Sequence, residues 1–398
     1  MRRLGWLVAV ALGLVGSSAD AFPWMVKHDY QSCAVCHVDP SGAGQLTPYG
    51  RAQSDVLLRW KLKKPTEEEA QEPSPTTRFL WFIDLPEVLN LSGNFRGGAL
   101  IPVTPKGDVR PLFMAADLYG TVKVDRFVFH ATTGVGLRQV GAAAILPVCG
   151  GDTPCGAQWV AREFWAGATF NDEAVMVRAG RMFLPFGLRN NEHFMWVRDS
   201  TNTDTNLDQQ VGIAASYNGE RLRGEVMGLL GNYQLGPDAY RERGYSAFAE
   251  YAVGSKFYLG VSSLITGARA DPVFQLPQTR HAHGITARWS PTEPLALLAE
   301  VDFLAWQQPT RIDRLGFAAL LQGDVELMQG LHLIASLEGK HTGSGERGPS
   351  VGGWVSAAWY VLPHVEVRLD GILRRNSQPA PDPATTSFTL LAQLHFFL

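Results

Sequence analysis

The sequence predicts an all-β fold, a transmembrane barrel of about sixteen antiparallel strands, from three observations. First, segments of about ten to fourteen residues alternate apolar and polar from residue 88 onward. Phe127, Phe129, Ala131 and Val135 alternate with Val128, His130, Thr132 and Gly134; Val365, Val367 and Leu369 alternate with Glu366, Arg368 and Asp370. In a strand these sets point to opposite faces, one oily and one wet. Second, the connections alternate in length. Tight turns fall at residues 124–126, 171–173, 218–220, 254–255 and 328–330. Longer stretches at 141–157, 186–206, 232–241, 268–279, 306–310, 342–349 and 377–384 lie between them. Short turns on one rim and long loops on the other are the habit of outer-membrane barrels, and they place residues 141–157 and 186–206 outside. Third, the last strand is apolar and aromatic, closing on Leu394-His-Phe-Phe-Leu398. That ending resembles the recognition signal of inserted barrels, with Leu in place of the commoner Phe.

The segments preceding the barrel read in order. Met1-Arg2-Arg3 is basic, Leu4–Gly16 is apolar and Ala19-Asp20-Ala21 is a small-x-small cleavage site. Residues 1–21 are therefore expected to be a secretory signal, too short in its apolar run for a bilayer span. Residues 22–60 hold Cys33-Ala34-Val35-Cys36-His37. Two thiols three positions apart, with a histidine directly after the second, are the spacing of covalent c-type haem attachment. Each thiol adds across one vinyl group, and His37 reaches the iron from the proximal side. A zinc knuckle needs two further ligands nearby, and the other cysteines are more than a hundred residues away. One covalent haem c is thus expected, in a segment too small to build a core alone. A short helix is expected over residues 52–62. The charged, proline-bearing stretch that follows makes residues 61–87 a linker, with the barrel over 88–398.

Composition excludes some functions. The formal charge of −3 becomes −4 once residues 1–21, with two arginines and one aspartate, are removed. That balance offers no basic field for nucleic acid. Cys149 and Cys155 bracket a Gly/Pro-rich stretch, and in an oxidising compartment they are expected to close it as a disulfide.

A haem segment joined to a barrel resembles the fused cytochrome–porins of the outer membrane, whose best-known members are iron(II) oxidases. The likeness is carried by Ala21-Phe-Pro23 and Lys27 before the haem motif, the motif itself, and Leu46-Thr-Pro-Tyr-Gly50 after it. Met25 stands where that family has an aromatic residue. The resemblance implies a haem in the lumen or on the periplasmic side of a Gram-negative outer membrane. It further implies electron transfer from extracellular Fe(II) or another donor to periplasmic c-type cytochromes. Iron(II) oxidation is the one enzymatic reading it supplies, and no catalytic residues are legible.

The distal iron ligand stays open. No Met or His lies between His37 and Met114, so the downstream methionine of small cytochromes is missing. Met25 and His28 precede the motif; His130, Met182 and Met227 face the lumen by strand parity; His193 and Met195 lie in the 186–206 loop. Asp199, Asp204 and Asp208 in and beside that loop offer carboxylate oxygens suited to Fe²⁺. A solute-conducting porin with the haem segment as plug or sensor is the competing function, with inward Glu338, Glu366, Arg368 and Asp370 lining a hydrated pore.

Overall fold

Backbone N–H and C=O groups facing lipid find no water, so a spanning sheet must close on itself. The computed structural model shows this closure. It describes residues 23–30, 32–60, 78–80, 82–103, 108–137, 144–147, 157–190, 192, 194–205, 208–231, 242–270, 276–308, 314–343, 348–379 and 381–397. The expected signal peptide, most of the expected linker, Cys149, Cys155 and His193 lie outside the described residues.

The strands in chain order are β1 (Leu89–Pro102), β2 (Arg110–Val124), β3 (Phe127–Leu137), β4 (Ala144–Pro147), β5 (Ala157–Val160) and β6 (Phe164–Phe170). They continue as β7 (Val175–Met182), β8 (Gln210–Asn218), β9 (Leu222–Gly231), β10 (Arg243–Gly254), β11 (Phe257–Ala268) and β12 (Gln278–Thr292). The last are β13 (Leu295–Gln307), β14 (Arg314–Met328), β15 (Leu331–His341), β16 (Ser350–Leu362), β17 (Val365–Asn376) and β18 (Thr385–Phe397). All pair antiparallel, and β1 closes on β18 from Asn94↔Phe397 to Pro102↔Thr389. β5 and β6 both face β3 and share one position around the wall, while β4 is an added strand on β5. The closed barrel thus has sixteen strand positions.

Parity sets the two faces as the sequence pattern required. On β17, Val367 and Leu369 are exposed toward lipid while Arg368 and Asp370 are buried inside. On β3, Phe127 and Phe129 face out and His130 and Thr132 face in. Exposed Phe127, Phe170, Tyr217, Tyr251, Trp289 and Trp359 ring the short-turn end, and Tyr245 and Phe388 lie toward the other. These two bands are the aromatic girdles of a membrane barrel.

Among the described residues, two short α-helices lie outside the strands. α1 (Pro48–Gln53) begins earlier than the expected 52–62 helix, because Thr47 Oγ1 accepts from Gly50 N and Pro48 occupies the first turn. A wider turn over Ser54–Leu58 extends it. α2 (Trp196–Thr201) lies in the stretch between β7 and β8, where no helix was expected.

Val355 is 55 % exposed on the lipid face of β16, four residues above Trp359 and so near mid-membrane. Val355→Arg is expected to destabilise the barrel by about 2–4 kcal/mol. Urea unfolding in lipid vesicles measures the difference.

Candidate functional site

Residues 23–60 sit inside the short-turn end of the lumen, bound to strands around its circumference. Lys27 Nζ lies 2.8 Å from Asp324 Oδ1 and 3.2 Å from Glu326 Oε2 on β14. Ser32 Oγ donates to Asn218 Oδ1 on β8 at 3.0 Å. Arg51 Nη2 donates to the Leu91 carbonyl of β1 at 2.6 Å, and Trp60 N donates to the Tyr360 carbonyl of β16 at 2.9 Å. The Lys27–Asp324 pair is fully enclosed, so removing either partner would strand a buried charge.

The Cys33–His37 motif forms one tight turn. Ser32 caps it through Oγ, and both Cys36 N and His37 N donate to the Cys33 carbonyl, at 3.1 and 2.9 Å. His37 then bridges to Leu46, so the chain doubles back over a loop whose tip is Asp39–Gly42. Two glycines let the chain pack against the two cysteines. A Cβ on Gly42, at φ +87°, would lie 2.8 Å from Cys33 Cβ; one on Gly50 would lie 2.4 Å from the Cys36 carbonyl oxygen. Both cysteines are buried and unbonded to each other. Arg223 of β9 reaches Cys33 Sγ with Nη1 at 2.9 Å. Burial lowers the His37 imidazole to about 4, against the opposing influence of Asp39 and the Ala43 and Gly44 carbonyls. It is therefore neutral at pH 7, the form in which imidazole ligates metals. Its Nδ1 is buried without a hydrogen-bond partner.

A buried ionic network locks this loop to the wall. Arg178 of β7 grips Asp39 through two hydrogen bonds of 3.0 Å and reaches Glu225 of β9 at 2.8 Å. Burial alone would raise the Asp39 carboxyl, but the Arg178 charge and hydrogen bonds, with Arg189 behind, hold it below the usual carboxylate range. Arg189 Nη2 donates to Ser41 Oγ at 3.1 Å, leaving its Nε and Nη1 buried without acceptors. Asp39, Arg178, Arg189, Arg223 and Glu225 were not anticipated. Strand parity places Arg178 and Glu225 inside, but nothing in the sequence says which plug residue faces them.

The stretch between β7 and β8 folds into the lumen and meets the plug at Arg189. Arg368 pairs with Glu192 at 2.5 Å and with Asp370 at 2.7 Å. Glu338 accepts from Trp196 N at 2.5 Å and pairs with Arg374 at 3.1 Å. Arg198 pairs with Glu300. Among the residues expected to line a wet pore, Glu338 and Arg368 thus bind the inward loop, and Glu366 lies 3.1 Å from His395.

The candidate iron ligands fall into three groups. His28 Nε2 lies 3.2 Å from Glu326, and His130 Nδ1 lies 2.8 Å from Thr121 Oγ1 with Nε2 3.5 Å from Glu163. Met25 is fully buried in a cluster with Trp24, Tyr30, Cys36 and Leu58. Met182, Met195 and Met227 are fully buried together in the main lumenal cluster, against which Val38 packs. Of the loop carboxylates, Asp199 is largely exposed and lies 3.2 Å from Lys340, while Asp208 accepts from Asp204 N at 2.8 Å. Burial, then the neighbouring Asp204, raises Asp208 to about 7. Among the described residues no group of three or more His, Cys, Asp or Glu is placed to hold a metal ion.

The sequence matches no protein-family model and no curated relative. The fold, by contrast, is shared with solved outer-membrane barrels. OmpT of Vibrio cholerae superposes with a TM-score of 0.60 at 9% identity, covering 78% of this chain and 97% of that one. An anion-selective porin from Comamonas acidovorans gives 0.56 at 11%, covering 78% and 99%. The outer membrane channel DcaP of Acinetobacter baumannii gives 0.55 at 11%, covering 78% and 97%. The chain therefore has the porin-like barrel fold.

Two outcomes follow from this geometry. Arg178→Ala strands Asp39 and Glu225, so protection of residues 37–46 against hydrogen exchange is expected to weaken by about 3–5 kcal/mol. For Asp208, a carboxyl raised in the folded state adds stability that is complete below its unfolded value and lost as pH rises through about 7. Protection factors at Asp208 and Gln209, corrected for the intrinsic base-catalysed rate, should thus fall between about pH 4 and 7, and Asp208→Asn should flatten that dependence.

Proposed function

We propose that the chain is an outer-membrane electron-transfer protein, in which a porin-like barrel encloses its own haem-bearing segment. The observation that carries this reading is the enclosure of Cys33, Cys36 and His37 within the lumen, with both thiols unbonded to each other and His37 Nδ1 unpartnered. The residues present fit a haem c. Cys33 and Cys36 would hold it covalently, His37 would be the proximal ligand, and Arg189 has buried donors suited to a propionate. When bound, the group supplies a one-electron Fe(III)/Fe(II) couple whose potential follows ligand, polarity and burial. The chain itself orients and shields. Gly42 and Gly50 let the backbone close on the thiols, Arg178 and Arg189 fix the loop, and the inward stretch before β8 excludes water from the outer side. Met25 or a methionine of the Met182, Met195 and Met227 cluster would supply a second ligand to the iron, since His28 and His130 already have polar partners. Extracellular Fe(II) is the donor that the resemblance suggests, with periplasmic c-type cytochromes as acceptors.

A second reading is a solute channel with residues 23–60 as plug or sensor. The likeness to OmpT, DcaP and the anion-selective porin supports it, because two of those structures are described as a channel and a porin.

The absorption spectrum of the protein purified from outer membranes separates the two. Under the electron-transfer reading, a covalent haem spectrum survives denaturation, disappears in Cys33→Ala/Cys36→Ala, and shifts to the reduced form with Fe(II) or dithionite. Planar-bilayer conductance is then low. Absence of covalent haem, with porin-like conductance unchanged by the cysteine substitutions, would leave the channel.

A further inference from the structure

Lipid-facing positions of a barrel are normally apolar, so a connected polar cluster there asks for an explanation. On the outer face of β10–β12, Tyr245 OH lies 2.9 Å from Ser263 Oγ, and Ser263 Oγ lies 3.0 Å from His283 Nδ1. His281 stands beside them, its ring 6.2 Å from that of His283. All four have outward parity, since Ser246, Leu264, Arg280 and Ala282 on the same strands are buried in the lumen. Ser263 also forms the upper edge of a groove with a cavity volume of about 550 Å³, shaped by Ala215, Val226, Ala247, Ala249 and Val261. Its surface is almost wholly apolar, and it descends to Tyr217 and Leu222 near the short turns. The concavity comes from a run of alanines where neighbouring outward positions carry larger side chains.

The heights of these features identify the occupant. His283 is six residues above the Trp289 girdle, which on a tilted strand is about 15 Å. Arg243, outward and exposed, stands eleven residues above the opposite end of β10 at Gly254, and Arg269, exposed in the bend just past β11, lies twelve residues beyond Phe257. That is about 27–30 Å, at the outer edge of the apolar band. From the long-loop rim downward the surface thus offers two cations, then hydroxyl and imidazole groups, then an apolar trough. This is the order of phosphate, acyl linkage and hydrocarbon chain in a lipid whose headgroup lies at the long-loop rim. A lipid of the opposite leaflet would place its chain ends at the polar cluster and its phosphate at Tyr217 and Leu222.

We propose that this face is a binding site for a phosphorylated, multiply acylated glycolipid of the outer leaflet. Arg243 and Arg269 take phosphate, Ser263, His281 and His283 take the ester, amide or hydroxyl groups of the acyl linkage, and the groove takes one chain. The inference rests on the long-loop rim facing outside and is independent of the haem.

Lipid A is the probe, and the full-length protein in detergent is the sample, with native mass spectrometry counting retained lipid. Arg243→Ala/Arg269→Ala is expected to lower retention about twenty-five-fold, because each surface cation contributes on the order of a factor of five. Ala247→Trp, which fills the groove, and the milder Ser263→Ala/His283→Phe should lower it as well, while binding of phosphatidylglycerol changes by less than about twofold. Heat-shifted gel migration confirms that each variant is folded. Unchanged lipid A retention in the folded variants overturns the proposal, as does an equal loss of phosphatidylglycerol. Efficient crosslinking of Ser263→Cys between copies in native membranes would overturn it too, making the groove an interface with a second copy.

Discussion

The pairing of β1 with β18 is the constraint on which the rest of the structure depends. Without that ladder two edges would present unpaired backbone groups to hydrocarbon, where each costs several kcal/mol. With it, every lipid-facing strand has a partner on both sides, and the lumen diameter follows from sixteen positions. A barrel of that girth leaves an aqueous interior unless something fills it. Here two segments enter from opposite ends, residues 23–60 at the short-turn rim and the stretch between β7 and β8 from the other, and they meet where Arg189 reaches Ser41.

Filling a polar lumen with protein demands matched charges, because a buried ion is tolerated only when paired and hydrogen-bonded. The wall supplies them in alternation along each strand, and the two inserted segments carry the complements: Lys27 for Asp324, Asp39 for Arg178, Glu192 for Arg368, Arg198 for Glu300. These pairs do little for net stability against an apolar substitute of the same shape, yet they discriminate sharply among ways of seating the plug. Displacing it by two strands, from β7 to β9, would oppose Asp39 to Glu225 rather than to Arg178.

How much of this was legible depended on whether the signal was local. Alternation along a strand is a local property, so the faces of Phe127, His130, Val367 and Arg368 could be read from the chain alone. So could the tight turns, and from them the strand number. The haem-type motif is local too. The pairs that hold the plug are not: Lys27 and Asp324 are 297 residues apart, and Asp39 and Arg178 are 139. Parity states that Arg178 points inward but is silent on what enters to meet it. The helix at Trp196–Thr201 escaped notice because six residues are too few to show a period, and its first N–H is held by Glu338 from another strand. The helix at Pro48–Gln53 was placed late because Leu46–Gly50 was weighed only for its likeness to the cytochrome–porins, although Thr47-Pro48 is a cap followed by a favoured first residue.

The spread of the plug's contacts bears on the order of assembly. Residues 23–60 touch β1 near the start of the barrel and β14, β16 and the turn at His364 near its end, with Ser54 Oγ 3.2 Å from His364 Nδ1. Their seat therefore does not exist until the final strands have been made and the wall has joined. A segment that precedes the barrel in the chain is thus the last to find its place. Until then Cys33 and Cys36 lack their enclosure, and once the wall closes both are buried. Were a haem joined to those two sulfurs, as proposed above, it would have to be joined during that interval, and its attachment would then precede membrane insertion.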